Sequence, residues 1–174
     1  FYKYNRESKE SWEGLNVLFT GIVIFSISST LILFSYADSL VNLLAPGVDE
    51  KTFKLAVELF EIMSITTMII GISSYFIALA NATNRFYLAS LDSLIINSLV
   101  ITYCLIYKEN SNIETISELI IIGFSLHLVI LLISNRHIIF TNIRFCINFK
   151  HEDFTSPMSK ALPIFIGYVG AISS

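Results

Sequence analysis

Charge is what this chain has least of. Only 14% of its 174 residues are Asp, Glu, Lys or Arg, where a soluble domain carries about 25%. A surface so poor in charge cannot be turned to water on all sides, which excludes an ordinary soluble domain and points to a membrane protein. Cysteine is scarce too. Cys104 and Cys146 have no metal-like spacing and lie in or beside apolar stretches, so they read as packing residues rather than a disulfide. Proline occurs three times and glycine seven times, too few for a loop-rich or low-complexity chain. There is no Gly-rich phosphate loop, no nucleophile–base pairing and no metal-ligand cluster in the sequence, so neither an enzyme nor a bound cofactor or metal is expected. The basic residues are too few and too scattered for a nucleic-acid surface. The chain starts at Phe1 rather than Met and ends inside an apolar run, and so reads as an internal piece of a longer polypeptide.

What is abundant is apolar length. Leu15 to Ala37 and Ile62 to Asn84 contain no charged residue, and Phe86 to Tyr107 contains one, Asp92. Leu119 to Asn135 is shorter, extends back to about Ile113, and holds His127. Ala161 to Ser174 begins a further run. About 20 apolar residues cross a hydrocarbon core of roughly 30 Å as a helix, and a helix satisfies its own backbone in lipid. The expected fold is all-α: a polytopic transmembrane bundle with four complete spans and the start of a fifth. The spans are placed at 15–37, 56–84, 86–107, 115–135 and 160–174, with a turn at 38–52 and a connecting segment at 136–159.

The connections differ in basic charge. Lys3, Arg6, Lys9, Arg85, Arg136, Arg144, Lys150 and Lys160 fall in the first, third and fifth; Lys51, Lys54 and Lys108 fall in the second and fourth. The positive-inside rule places the first set in the cytoplasm and turns the 38–52 break outward. Within the last connection, Ile138 to Phe149 is apolar and aromatic with Arg144 in its middle. It reads either as an interfacial segment on the cytoplasmic leaflet or as a loop packed on the bundle.

The break itself has a local cause. Pro46 biases Ala45 out of the helical region, and Gly47 can take a positive φ. Asp49 is placed to cap the next helix, with Glu50 in its first turn. Phe53, Ala56, Val57, Phe60 and Met63 then share one face and Lys54, Glu58 and Glu61 the other, so that helix should begin about three turns before Ile62.

Polar residues inside the spans are the candidate substrate or ion groups. Asp92 reads either as a cavity-lining acid or as a hydrated residue near the helix start; Arg85, two helical turns earlier, is its expected partner. His127 reads as a proton relay or as an interhelical hydrogen-bonding group. Asn81, Asn84 and Asn97 read as interhelical or interfacial groups, or as substrate contacts.

These stretches resemble a known family. "SLVNLLAPGVDEKTFKLAVELFEIMS" (Ser39 to Ser64) is similar to the segment joining the third and fourth helices of the MurJ/MviN family of lipid II flippases, in the multidrug/oligosaccharidyl-lipid/polysaccharide exporter superfamily. "ALANATNRF" (Ala78 to Phe86) resembles that family's next loop, with Asn81, Asn84, Arg85 and Phe86 in matching places. Asn97 matches a recurrent asparagine, and "MSKALPIFIGYVGAISS" resembles the start of the seventh helix. The resemblance implies part of the first lobe of a two-lobe exporter fold in the cytoplasmic membrane of a bacterium. It implies a lipid-linked oligosaccharide as substrate, the bilayer and wall-synthesis membrane proteins as partners, and alternating access as mechanism. It also implies that the family's main cavity arginines lie outside this stretch. Ala89 and Ser93 stand where the family usually has prolines, and Asp92 is an unexpected acid. These departures keep open a different lipid-linked oligosaccharide, or ion-coupled multidrug export, as the transported class.

Overall fold

The structure, a computed structural model, describes residues 9–108 and 112–148. All regular elements among them are helical. In chain order these are α1 (Lys9–Ser35), α2 (Ala37–Leu44), α3 (Glu50–Ala82), a 3-10 turn (Phe86–Ser90), α4 (Leu91–Tyr107) and α5 (Ile113–Asn142). Among the described residues, four stretches are long and apolar enough to cross a membrane: Trp12–Ser35, Glu50–Ala82, Phe86–Tyr107 and Ile113–Asn142. The expected span at 160–174 lies outside the described residues.

The chain divides into two compact units, residues 1–21 with 138–174, and residues 22–137. In the larger unit, α1 stops at Ser35 because Tyr36 leaves helical geometry (φ −109°, ψ 19°). The next residues, expected to be a turn, form α2. Its Ala37 and Val41 are buried against Val57 of α3, with Phe53, Ala56 and Phe60 packed around them. Gly47 then takes φ +84° with open space around it, so the backbone angle, not crowding, requires glycine there. Asp49 caps α3. The Thr52 backbone N–H donates to Asp49 Oδ2 at 3.0 Å and the Thr52 hydroxyl to Oδ1 at 2.6 Å. These bonds, the Thr52 hydroxyl first, hold the Asp49 carboxyl below the ordinary aspartate range.

Small residues bring helices together. The Thr30 hydroxyl of α1 donates to the Ser64 carbonyl of α3 at 3.2 Å. A Cβ added at Gly71 of α3 would meet the Ser26 side chain of α1, 2.9 Å from Ser26 Cβ. A Cβ at Gly123 of α5 would lie 2.7 Å from Ile96 Cγ1 of α4. Both glycines are points of close approach, the packing that lipid-embedded helices use in place of a hydrophobic drive. At its start, α5 is capped by Asn112, whose Oδ1 accepts from Glu114 N at 3.0 Å.

The smaller unit is organised by one asparagine. Asn16 of α1 is buried; its Nδ2 donates to the Asn142 carbonyl and its Oδ1 accepts from Arg144 N, both at 3.0 Å. Thr20, one turn on, accepts from Cys146 N at 2.9 Å, and Phe19 meets Phe145 with ring centroids 5.5 Å apart. Thus α5 runs past the expected end at Asn135, through exposed Arg136 and His137, to Asn142. Residues 143–148 then follow the start of α1 without helical structure. Within Ile138 to Phe149, residues 138–142 continue α5, the N–H groups of Arg144 and Cys146 bond to Asn16 and Thr20, and Phe140, Phe145 and Ile147 are exposed.

Candidate functional site

Of the sequence candidates, Asn81, Asn84, Arg85, Asp92 and His127 lie at or against the junction between α3 and α4, and Asn97 does not. Helix α3 ends in a Schellman arrangement. Asn84 takes φ +60°, its N–H donates to the Asn81 carbonyl at 3.0 Å, and Arg85 N–H donates to the Ala80 carbonyl at 2.9 Å. Asparagine is the non-glycine residue that tolerates this left-handed position most readily, since its short amide can bond locally. Asn84 therefore has a backbone task that accounts for it without a ligand.

Arg85 is the first residue after that cap. Its Nη1 donates to the carbonyl of Ser134 on α5 at 2.7 Å. The expected pairing with Asp92 does not form. The expectation assumed one continuous helix, in which residues seven apart share a face. Instead Arg85 lies in a non-helical turn (φ −103°, ψ 53°), and Phe86–Ser90 wind with 3-10 geometry before α4 begins. Asp92 sits in the first turn of α4, half-buried, and its Oδ1 accepts from Ser93 N at 2.6 Å. A carboxylate there also faces the positive end of the helix dipole.

His127 is 1% exposed and lies at hydrogen-bond distance, 2.8 Å, from the carbonyl of Leu88, itself buried in the 3-10 turn. A carbonyl only accepts, so Nε2 carries the proton and donates. His127 and Ser134 are seven residues apart on α5, two turns along one face. The junction is thus held to α5 at two points, by Arg85 at Ser134 and by His127 at Leu88. Between and beside them lie Leu131, fully buried, and Asn135, 1% exposed, whose Nδ2 donates to the Leu131 carbonyl at 2.8 Å.

Among the described residues, two buried acceptors at this end of the helices have no hydrogen-bond partner, Asn135 Oδ1 and Asn81 Oδ1. Asn97 stands apart, exposed on α4. Ser134, Leu88 and Asn135 were not among the sequence candidates. The first two act through backbone carbonyls, which no side-chain pattern announces; Asn135 was visible only as the polar end of an apolar run.

Chemically, the arrangement fixes a turn between two membrane helices. No group of three His, Cys, Asp or Glu residues that could hold a metal ion occurs among the described residues. Arg85 is an exposed cation whose guanidinium is anchored on a carbonyl, with no carboxylate neutralising it among the described residues.

A family model described as Lipid II flippase MurJ matches residues 1–171. No curated protein and no solved structure matches the chain.

Proposed function

We propose that this chain, which belongs to the Lipid II flippase MurJ family, forms part of a transporter that moves lipid II from the inner to the outer leaflet of a bacterial cytoplasmic membrane by alternating access. The family match over residues 1–171 carries this reading. Four apolar helices of spanning length support it. A flippase is a transport protein, and its chemistry is binding and release.

The physical task is set by the substrate. A pyrophosphate headgroup is costly to place in hydrocarbon, so it needs a polar, cation-bearing cavity while its lipid tail stays in the bilayer. A potential negative inside favours outward movement of an anion by about 2.3 kcal/mol per charge per 100 mV. In this reading the helices described here supply frame rather than grip. Arg85, His127 and Asn84 set the α3–α4 junction, Asp92 accepts a hydrogen bond within the first turn of its own helix, and the cargo-binding cations are supplied from other parts of the transporter. The 38–52 break faces outward, following the bias of basic residues among the connections.

Depletion of the full-length protein tests the reading in cells. Lipid II should accumulate in the inner leaflet while its exposure to an impermeant external probe falls. Undiminished exposure would refute the assignment.

A further inference from the structure

Helix α2 carries more apolar surface than the protein covers. At 100° per residue, Ala37 and Val41 point one way, and Leu44, Leu40 and Leu43 continue that apolar arc by about another 120°. Asp38, Ser39 and Asn42 occupy the remaining face, all exposed. Only the Ala37–Val41 edge is buried, against α3. Leu43 and Leu44 are 75% and 74% exposed, and Tyr36 and Val48 flank them at 60% and 40%.

The level of α2 is fixed by its partner. Helix α3 has 33 residues, about 50 Å at 1.5 Å per residue, which exceeds a 30 Å hydrocarbon core by about 20 Å. Its charge-free stretch starts at Ile62. Val57, where α2 packs, is then about 7.5 Å outside the acyl boundary along the helix, the depth of a headgroup layer. The exposed apolar surface is also continuous in the chain with that of a span. Leu31, Ile32 and Phe34 in the last turns of α1 are 61%, 58% and 47% exposed, and α2 begins two residues after α1 ends.

We propose that α2 is an interfacial helix lying in the lipid headgroup layer, with Leu43 and Leu44 inserted at the acyl boundary and Asp38, Ser39 and Asn42 turned to water. The occupant of its free apolar edge is the bilayer itself, because that edge sits at headgroup depth beside a membrane-crossing helix. Amphipathic helices of this kind bury one face about 5–10 Å into the headgroup–acyl boundary. The helix then fixes how far α3 stands out of the membrane, through Val41 on Val57. This inference rests on the membrane-spanning helices and not on which substrate is carried.

The test places single cysteines at positions 39, 42, 43 and 44 of the full-length protein, with Cys104, Cys146 and any other native cysteines replaced. The variants are spin-labelled in vesicles of phosphatidylethanolamine and phosphatidylglycerol. Labels at Leu43→Cys and Leu44→Cys should collide several-fold more with oxygen than with a water-soluble nickel chelate, and those at Ser39→Cys and Asn42→Cys the reverse. Equal access to the chelate at all four would overturn the proposal, as would positions 43 and 44 shielded from both reagents, the signature of a protein partner. A variant that fails to fold is replaced by impermeant maleimide labelling of the same cysteines in intact cells. Positions 43 and 44 should then react several-fold more slowly than 39 and 42; uniform reaction would again overturn it.

Discussion

His127 and Leu88, 39 positions apart in the chain, meet at 2.8 Å, the buried imidazole of α5 donating to a carbonyl in the 3-10 turn that precedes α4. A buried carbonyl left without a donor costs about 1–3 kcal/mol. His127→Ala should therefore lower the stability of the full-length protein by about that amount. His127→Gln, which keeps a side-chain N–H, should recover part of it. Thermal unfolding in detergent measures both; equal losses in the two variants would mean that volume, not the hydrogen bond, matters at this site.

The close approach at Gly123 makes a second prediction. Gly123→Val should destabilise by about 1–3 kcal/mol, the usual cost of overpacking, because Ile96 Cγ1 and Cα occupy the space at 2.7 and 3.3 Å. Ile96→Ala in the same chain should return part of the loss, since residues in contact do not behave additively. Additive effects in a double-mutant cycle would contradict the contact.

Asp92 should be replaceable. Its carboxylate bonds to the Ser93 N–H at the start of its own helix and does not meet Arg85. Asp92→Asn retains an acceptor oxygen, so lipid II transport by the full-length protein should stay near wild type. Loss of transport, with the protein still folded, would return Asp92 to the role of an ion-coupling acid.

The cap at Asp49 gives a pH dependence with a definite sign. Its carboxyl is held below the ordinary aspartate range, chiefly by the Thr52 hydroxyl and then by the Thr52 N–H. A depressed folded-state value means that the stabilisation is fully present above the unfolded pKa and is lost as pH falls through the folded one. Amide exchange at Lys51 to Phe53 should therefore be protected at neutral pH and lose protection only below about pH 4, given the ordinary aspartate range. Asp49→Ala should remove that protection at every pH.

Topology is tested by labelling. Single cysteines at Val48 and Asn112 should both react with an impermeant reagent from outside the cell, as the distribution of basic residues requires. Reaction only from the cytoplasmic side would invert the assignment.

The four long helices were legible because charge-free runs announce themselves, and the start of α3 was legible because Asp49, Glu50 and the Phe53–Phe60 face all agree. Helix α2 was less so. Its apolar arc is present in the sequence, but Pro46 and Gly47 signal a turn, and an eight-residue helix is stable only against a partner such as Val57. The extension of α5 through Arg136 to Asn142 is not legible in the sequence, because a charged residue marks a change of surroundings and not the end of a helix. The junction was half legible. The residues Asn84, Arg85 and His127 stood out, but their partners are backbone carbonyls of Asn81, Ser134 and Leu88, which depend on how the helices pack.

Lipid II transport, the proposed function, is measured most simply in vesicles. Full-length protein is reconstituted into vesicles holding lipid II in one leaflet, with an imposed potential, and appearance of the headgroup in the other leaflet is followed with an impermeant probe. Transfer should run well above that of protein-free vesicles, with none of a phosphatidylglycerol control. Transfer no faster than in protein-free vesicles would contradict that function.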